Sequence, residues 1–329
     1  MSGPLATLTL ASVAGIGFAL ATSVAVAIAW ALLRRWLHRQ HPARRARVAL
    51  VCAVAPTVVP VLLVALCLAP GGVGLLGFGV DHCIHHPSHP HLCLVHSTAI
   101  LTFPFVMLLA IGFALVAYAV ASYGLRLAAA RRTLVQLRSG VVGDLAPGVR
   151  CVRSARPFSV TSGMGRGEIF VSSALADALH PSHLEAVIEH ERAHVRRRDG
   201  LRRMLAHMLS WILPPALRRE ILAELDLATE RACDEEAGGR IGDRFVVAEA
   251  ILAAERLLGA APVADDWAFL ALGGSSVPAR IRGLLAEPAA DRRRSGWWWA
   301  GALFVASCLL AAPLHHVTEH ALALLLGAL

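Results

Sequence analysis

The hydrophobic positions of this chain are gathered into long unbroken runs. Residues 5–33 carry no charged side chain, and neither do 48–80, 98–125 or 297–314. A helix needs about 20 apolar residues to cross the hydrocarbon core, so the pattern predicts four transmembrane helices. Their expected bounds are about 5–33, 48–69, 98–125 and 297–314. Between the third and fourth lies the one large polar segment, 126–296, where the pattern changes to short β stretches followed by amphipathic helices. The chain thus divides into a membrane region (1–125), a polar domain (126–296) and a last span with a short tail (297–329).

In the polar segment, PFSVTSGMGRGEIFVSS (157–173) has two β-branched and aromatic stretches around a glycine-rich turn, the mark of a hairpin. HPSHLEAVIEHERAHVRRRDG then reads as a helix. Pro181 and Ser182 open it, Glu185 completes a capping box, and Gly200 closes it. Further helices are expected at about 201–213, 217–237, 244–258 and 278–286. The fold class is therefore a mainly α membrane protein, with a small α+β domain between its third and fourth spans.

Composition agrees, with 56% hydrophobic and 16% charged residues and a mean hydropathy of +0.60. The net charge of +8 adds an orientation, because all 31 basic residues are arginine. They crowd after the first span (Arg34, Arg35, Arg39, Arg44, Arg45, Arg47), after the third (Arg126, Arg131, Arg132, Arg138) and before the fourth (Arg292–Arg294). Segments 69–97 and 315–329 have none. The positive-inside rule then puts 126–296 in the cytoplasm and both termini outside, in a multi-pass bacterial inner-membrane protein. Trp297–Trp299 reads as an interfacial anchor. With no basic region before it, the first span does not read as a cleavable signal peptide. Membrane lipids account for this charge, and direct nucleic-acid binding is not expected. Cys151 and Cys233 would be reduced thiols.

The candidate chemistry lies in His190-Glu191-Arg192-Ala193-His194. Side chains at i and i+4 of a helix share a face, so both imidazoles can meet one ion. Glu191 can then act as general base on water polarised by that ion, which with three protein ligands would be a single catalytic Zn2+. Spacing leaves the third ligand open among Glu230, Asp234, Glu235 and Glu236 in LDLATERACDEEAGG.

LEAVIEHERAHVRRRD followed by ELDLATERACDEEA resembles the BlaR/MecR-type membrane metallopeptidases, a bacterial gluzincin-like family related to membrane CAAX and heat-shock proteases. The resemblance selects Glu230 as third zinc ligand, with Asp234 and Asp199 as supporting or structural carboxylates. It also implies that IFVSSAL is an edge strand that holds an extended peptide. The family's Ser-x-x-Lys penicillin sensor cannot be built from a chain without lysine. What remains is a zinc metalloendopeptidase acting on the cytoplasmic side. Its expected substrate is a BlaI-like winged-helix transcriptional repressor, or the protein itself, in a signalling response. The alternatives are a membrane quality-control or processing protease, and a non-catalytic sensor with a metal-responsive exterior.

A second concentration of ligands lies in DHCIHHPSHPHLC (81–93). It falls in the outward loop, where Cys83 and Cys93 could form a disulfide. His82, His85, His86, His89, His91 and His96 could respond to metal or acid. It lacks a helical ligand pair and a neighbouring general base, so the catalytic zinc is placed at His190 and not here.

Overall fold

The computed structural model describes residues 4–75, 103–162, 167–258, 269–271, 277–286 and 313–324. Among the described residues three helices are long and apolar enough to cross a membrane: α1 (Pro4–Leu37), α2 (Pro42–Leu75) and α3 (Phe103–Ser139). The expected fourth span and the histidine-rich loop with Cys83 and Cys93 lie outside the described residues. The chain forms two compact units, one of 1–29, 55–118 and 292–329, the other of 30–54 and 119–291.

In the first unit a helix at 313–324 replaces the plain tail expected there. Leu322 is buried with Leu10 of α1 and Cys67 of α2. His315 Nδ1 lies 2.7 Å from the Cys67 carbonyl oxygen, so the segment is packed and not a free end.

In the second unit α3 runs well past its apolar stretch, since nothing interrupts helix before Ser139-Gly140. Its polar end brings Leu134 and Leu137 against Val152, Val160 and Phe170. A five-stranded sheet follows, built from β1 (Val141–Ala146), β2 (Val149–Val152), β3 (Ser159–Ser162), β4 (Glu168–Ser172) and β5 (Phe269–Ala271), in the order β1-β2-β4-β3-β5. The hairpin expected over 157–173 is present as β3 and β4, with Val160 opposite Phe170. However, β4 also pairs in parallel with β2, Val149 opposite Ile169. It is therefore interior, and the expectation that IFVSSAL is a peptide-binding edge is overturned. Its backbone donors and acceptors are already taken on both sides. The run Ile169, Phe170, Val171 is buried throughout, as befits a strand covered on both faces.

The helices are α4 (Ser173–Ala178), α5 (Pro181–Arg197), α6 (Asp199–Leu209), α7 (Pro215–Ile241), α8 (Arg244–Leu258) and α9 (Val277–Leu285). α5 starts where expected but with a different cap: His180 Nδ1 accepts from the Ser182 backbone N–H, so no Ser182–Glu185 capping box forms. It ends at Arg198 in the left-handed region (φ 55°), two residues before Gly200, which lies inside α6. An L side chain there is strained by about 1 kcal/mol. Arg198→Gly is thus expected to leave stability unchanged or raise it by a few tenths of a kcal/mol on thermal unfolding. A loss above about 1 kcal/mol would show that the Arg198 side chain has a role of its own. α5 packs Val187 and Ile188 on Val149, Ile169 and Val171 of the sheet, and Ala186 on α7, α8 and α9.

The end of α1, the start of α2 and the turn between them belong to this same unit. Trp30 Nε1 donates to Glu220 (3.0 Å) and Arg45 Nε to Glu224 (2.7 Å), both on α7. Arg45 is 3% exposed and Glu224 10%, so this pair is largely shielded from water.

Candidate active site

α5 directs His190, Glu191 and His194 into the interior because its apolar face covers the sheet and α7 covers the next face round. All three are buried. The i, i+4 spacing does what the sequence implied: the two Nε2 atoms lie 3.1 Å apart. α7 supplies Glu230, whose Oε2 is 3.4 Å from His190 Nε2 and whose Oε1 is 3.6 Å from His194 Nε2. Glu235 and Glu236, equally eligible by spacing, are turned elsewhere. Arg244 holds Glu235, and Arg196 holds Glu236 at 2.6 Å.

Each imidazole has a carboxylate behind it. His194 Nδ1 is 3.1 Å from Asp199 Oδ2, and His190 Nδ1 is 2.9 Å from Asp234 Oδ1, though out of line for a straight hydrogen bond. A carboxylate at Nδ1 favours the proton on that nitrogen and leaves Nε2 as a lone pair. Two imidazole nitrogens and a carboxylate oxygen then face one point. That arrangement suits a cation. Ligands about 2.0–2.1 Å from a tetrahedral metal stand about 3.3 Å from one another, close to the three separations present. His190, His194 and Glu230 accordingly form a set able to hold a metal ion.

The surrounding charges favour positive charge at this point. Burial opposes charge on His190, but its contacts with Asp234 and Glu230 outweigh this and push the imidazole up to about 9. A metal at Nε2 would take the place of that proton. Burial likewise opposes ionisation of Glu230, yet the Arg280 guanidinium and the two histidines hold its carboxyl well below the usual range. Asp199 is lowered too: burial is overcome by His194, Arg197 and Arg202.

Asp199 opens α6 and accepts from Arg197 Nε (3.3 Å) and Cys233 Sγ (3.3 Å) as well as from His194. Cys233 is fully buried, and desolvation with the nearby Asp199 charge raises its thiol well above the ordinary value, which makes it inert packing and not a nucleophile. Cys151 and Cys233 are both free, in line with the expectation of thiols.

Glu191 is held from the sheet. Ser159 Oγ donates to its Oε1 at 2.9 Å and Thr161 Oγ1 to its Oε2 at 2.5 Å, both from β3. Two hydroxyl donors, one on each oxygen, fix the direction of the carboxylate. Neither residue is singled out by the sequence reading, although hydroxyls two apart on a strand of the hairpin that precedes the motif helix are a usable signal. Arg280 of α9 was also missed. It meets Asp234 through two nitrogens, and nothing local in VPARIRGLL marks it out.

Among curated proteins none matches this chain. Residues 151–256 match the family model of peptidase family M48, which supports a membrane-associated metallopeptidase whose peptidase segment runs from β2 to α8.

Proposed function

We propose that this protein is a zinc-dependent metalloendopeptidase that hydrolyses peptide bonds on the cytoplasmic side of the membrane. The observation that carries the reading is the convergence of His190 Nε2, His194 Nε2 and the Glu230 carboxylate on one point, each imidazole backed by its own carboxylate. Zinc bound by these three residues would polarise the scissile carbonyl and acidify a water in its remaining position. Glu191 would take a proton from the attacking water and return it to the departing amine, so the proton balance of the cycle closes on its carboxylate. Ser159 and Thr161 keep Glu191 aimed for both transfers. A non-catalytic sensor would have no use for so defined a carboxylate.

The substrate class follows from the resemblance to BlaR/MecR-type proteins: a winged-helix repressor of the BlaI kind, or the protein itself. The match to peptidase family M48 as a whole gives equal support to a processing or quality-control protease. Substrates that accumulate in cells carrying an inactive variant separate the two, one regulator for the first and many membrane proteins for the second. Hydrolysis itself is tested with the full chain in nanodiscs and an unfolded protein such as casein. One zinc ion per chain, loss of cleavage with a chelator and recovery on adding zinc are expected. Cleavage indifferent to the chelator would overturn the assignment.

A further inference from the structure

We propose that Arg280 is a positioning residue of the metal centre, which selects Glu230 as the ligand by holding Asp234 off the metal. This rests on the reading just given, and it extends the metal-binding unit beyond the matched segment 151–256 to α9.

Glu230 and Asp234 stand one turn apart on the same face of α7, and both reach His190. Either could turn towards the imidazole pair, and two buried carboxylates this close repel each other. Arg280 removes the ambiguity. Its Nε and one terminal nitrogen take both oxygens of Asp234 at 2.9 and 2.7 Å, a forked grip that fixes the carboxylate plane. With Asp234 held there, its Oδ1 can serve only the Nδ1 side of His190. The other terminal nitrogen reaches Glu230 Oε2 at 3.3 Å, leaving Oε1 directed at His194. One guanidinium therefore assigns each carboxylate its place. A lysine, with its charge at one point, could neutralise them but not sort them.

The delivery of Arg280 is built into the packing. The residue is 2% exposed, so no water competes for its donors. Val277 and Leu284 of α9 are buried with Ala237 of α7 and Val247, Ala248 and Ile251 of α8. One turn on from Arg280, Gly283 gives the close approach to α7: a Cβ there would lie 2.5 Å from Arg231 Nε.

The test uses the full chain in nanodiscs, with zinc affinity read by competition with a chromophoric chelator and ligand geometry by the visible spectrum of the cobalt form. Arg280→Lys is expected to weaken zinc binding ~10-fold and Arg280→Met up to ~100-fold, each with an altered cobalt spectrum. In Asp234→Asn/Arg280→Met the charge imbalance is relieved. Thermal stability is expected to recover while zinc affinity stays low, because Glu230 is still unguided. Should Arg280→Met fail to fold, Arg280→Lys and the double variant carry the test. Wild-type affinity and spectrum in Arg280→Lys or in the folded double variant would overturn the proposal. A wild-type chain that binds no zinc would instead bring down the functional reading beneath it.

Discussion

Glu191→Gln is expected to lower peptide turnover by about 10²–10⁴-fold while zinc content and thermal stability stay at wild-type levels. The substitution is nearly isosteric, and the site can accommodate it. Ser159 Oγ can still donate to the remaining carbonyl oxygen, and the new amide can donate to Thr161 Oγ1 in place of the bond that hydroxyl now gives. What disappears is the ability to accept a proton from water. The metal ligands on the neighbouring face are untouched, so metal content separates a chemical defect from a collapsed site. Turnover within about tenfold of wild type, with zinc bound, would remove Glu191 from the mechanism.

Phe170→Ala is expected to cost about 3–5 kcal/mol, the range for an aromatic side chain deleted from a packed core. Phe170 has no exposed surface and sits among Val152, Val160, Phe158 and the α3 residues Leu134 and Leu137. The cavity would open beneath β3, where Val160 is its direct cross-strand partner. Since β3 also carries Ser159 and Thr161, the loss should reach Glu191 as well as stability. Thermal unfolding of the polar domain followed by tryptophan fluorescence, beside residual turnover, measures both. A destabilisation below about 1 kcal/mol would mean that the sheet closes over the gap.

The parts of this protein written in local pattern were legible, and the parts made by tertiary neighbours were not. Uninterrupted apolar runs gave α1, α2 and most of α3, because crossing hydrocarbon imposes a length that shows in one dimension. The His190–His194 pair was legible because helical geometry alone brings i and i+4 together. Glu230 needed a resemblance, since four acidic residues of α7 satisfied the spacing and only their partners distinguish them. β4 was misplaced because an apolar strand looks alike at an edge and in the centre; its parallel pairing with β2 is a property of topology. β1 and β2 were overlooked, although Pro147-Gly148, with Gly148 at φ +77°, forms a recognisable turn between them. Arg280 was the least visible of all. It is one of many arginines in a chain whose arginines mostly mark topology, and its partner Asp234 lies 46 residues away.

The grip of the α1–α2 elbow on α7 bears on how this enzyme can be isolated. Glu220 and Glu224 precede Glu230 on the same helix by about three turns or fewer, and their partners Trp30 and Arg45 lie near the end of α1 and the start of α2. Trimming the chain to its polar segment would strip Arg45 from a nearly buried carboxylate and uncover an unpaired charge on the helix that presents the third ligand. The smallest faithful soluble enzyme therefore cannot be one contiguous piece of sequence: it must carry residues 30–54 alongside 119–291, and the linkage between them has to be engineered.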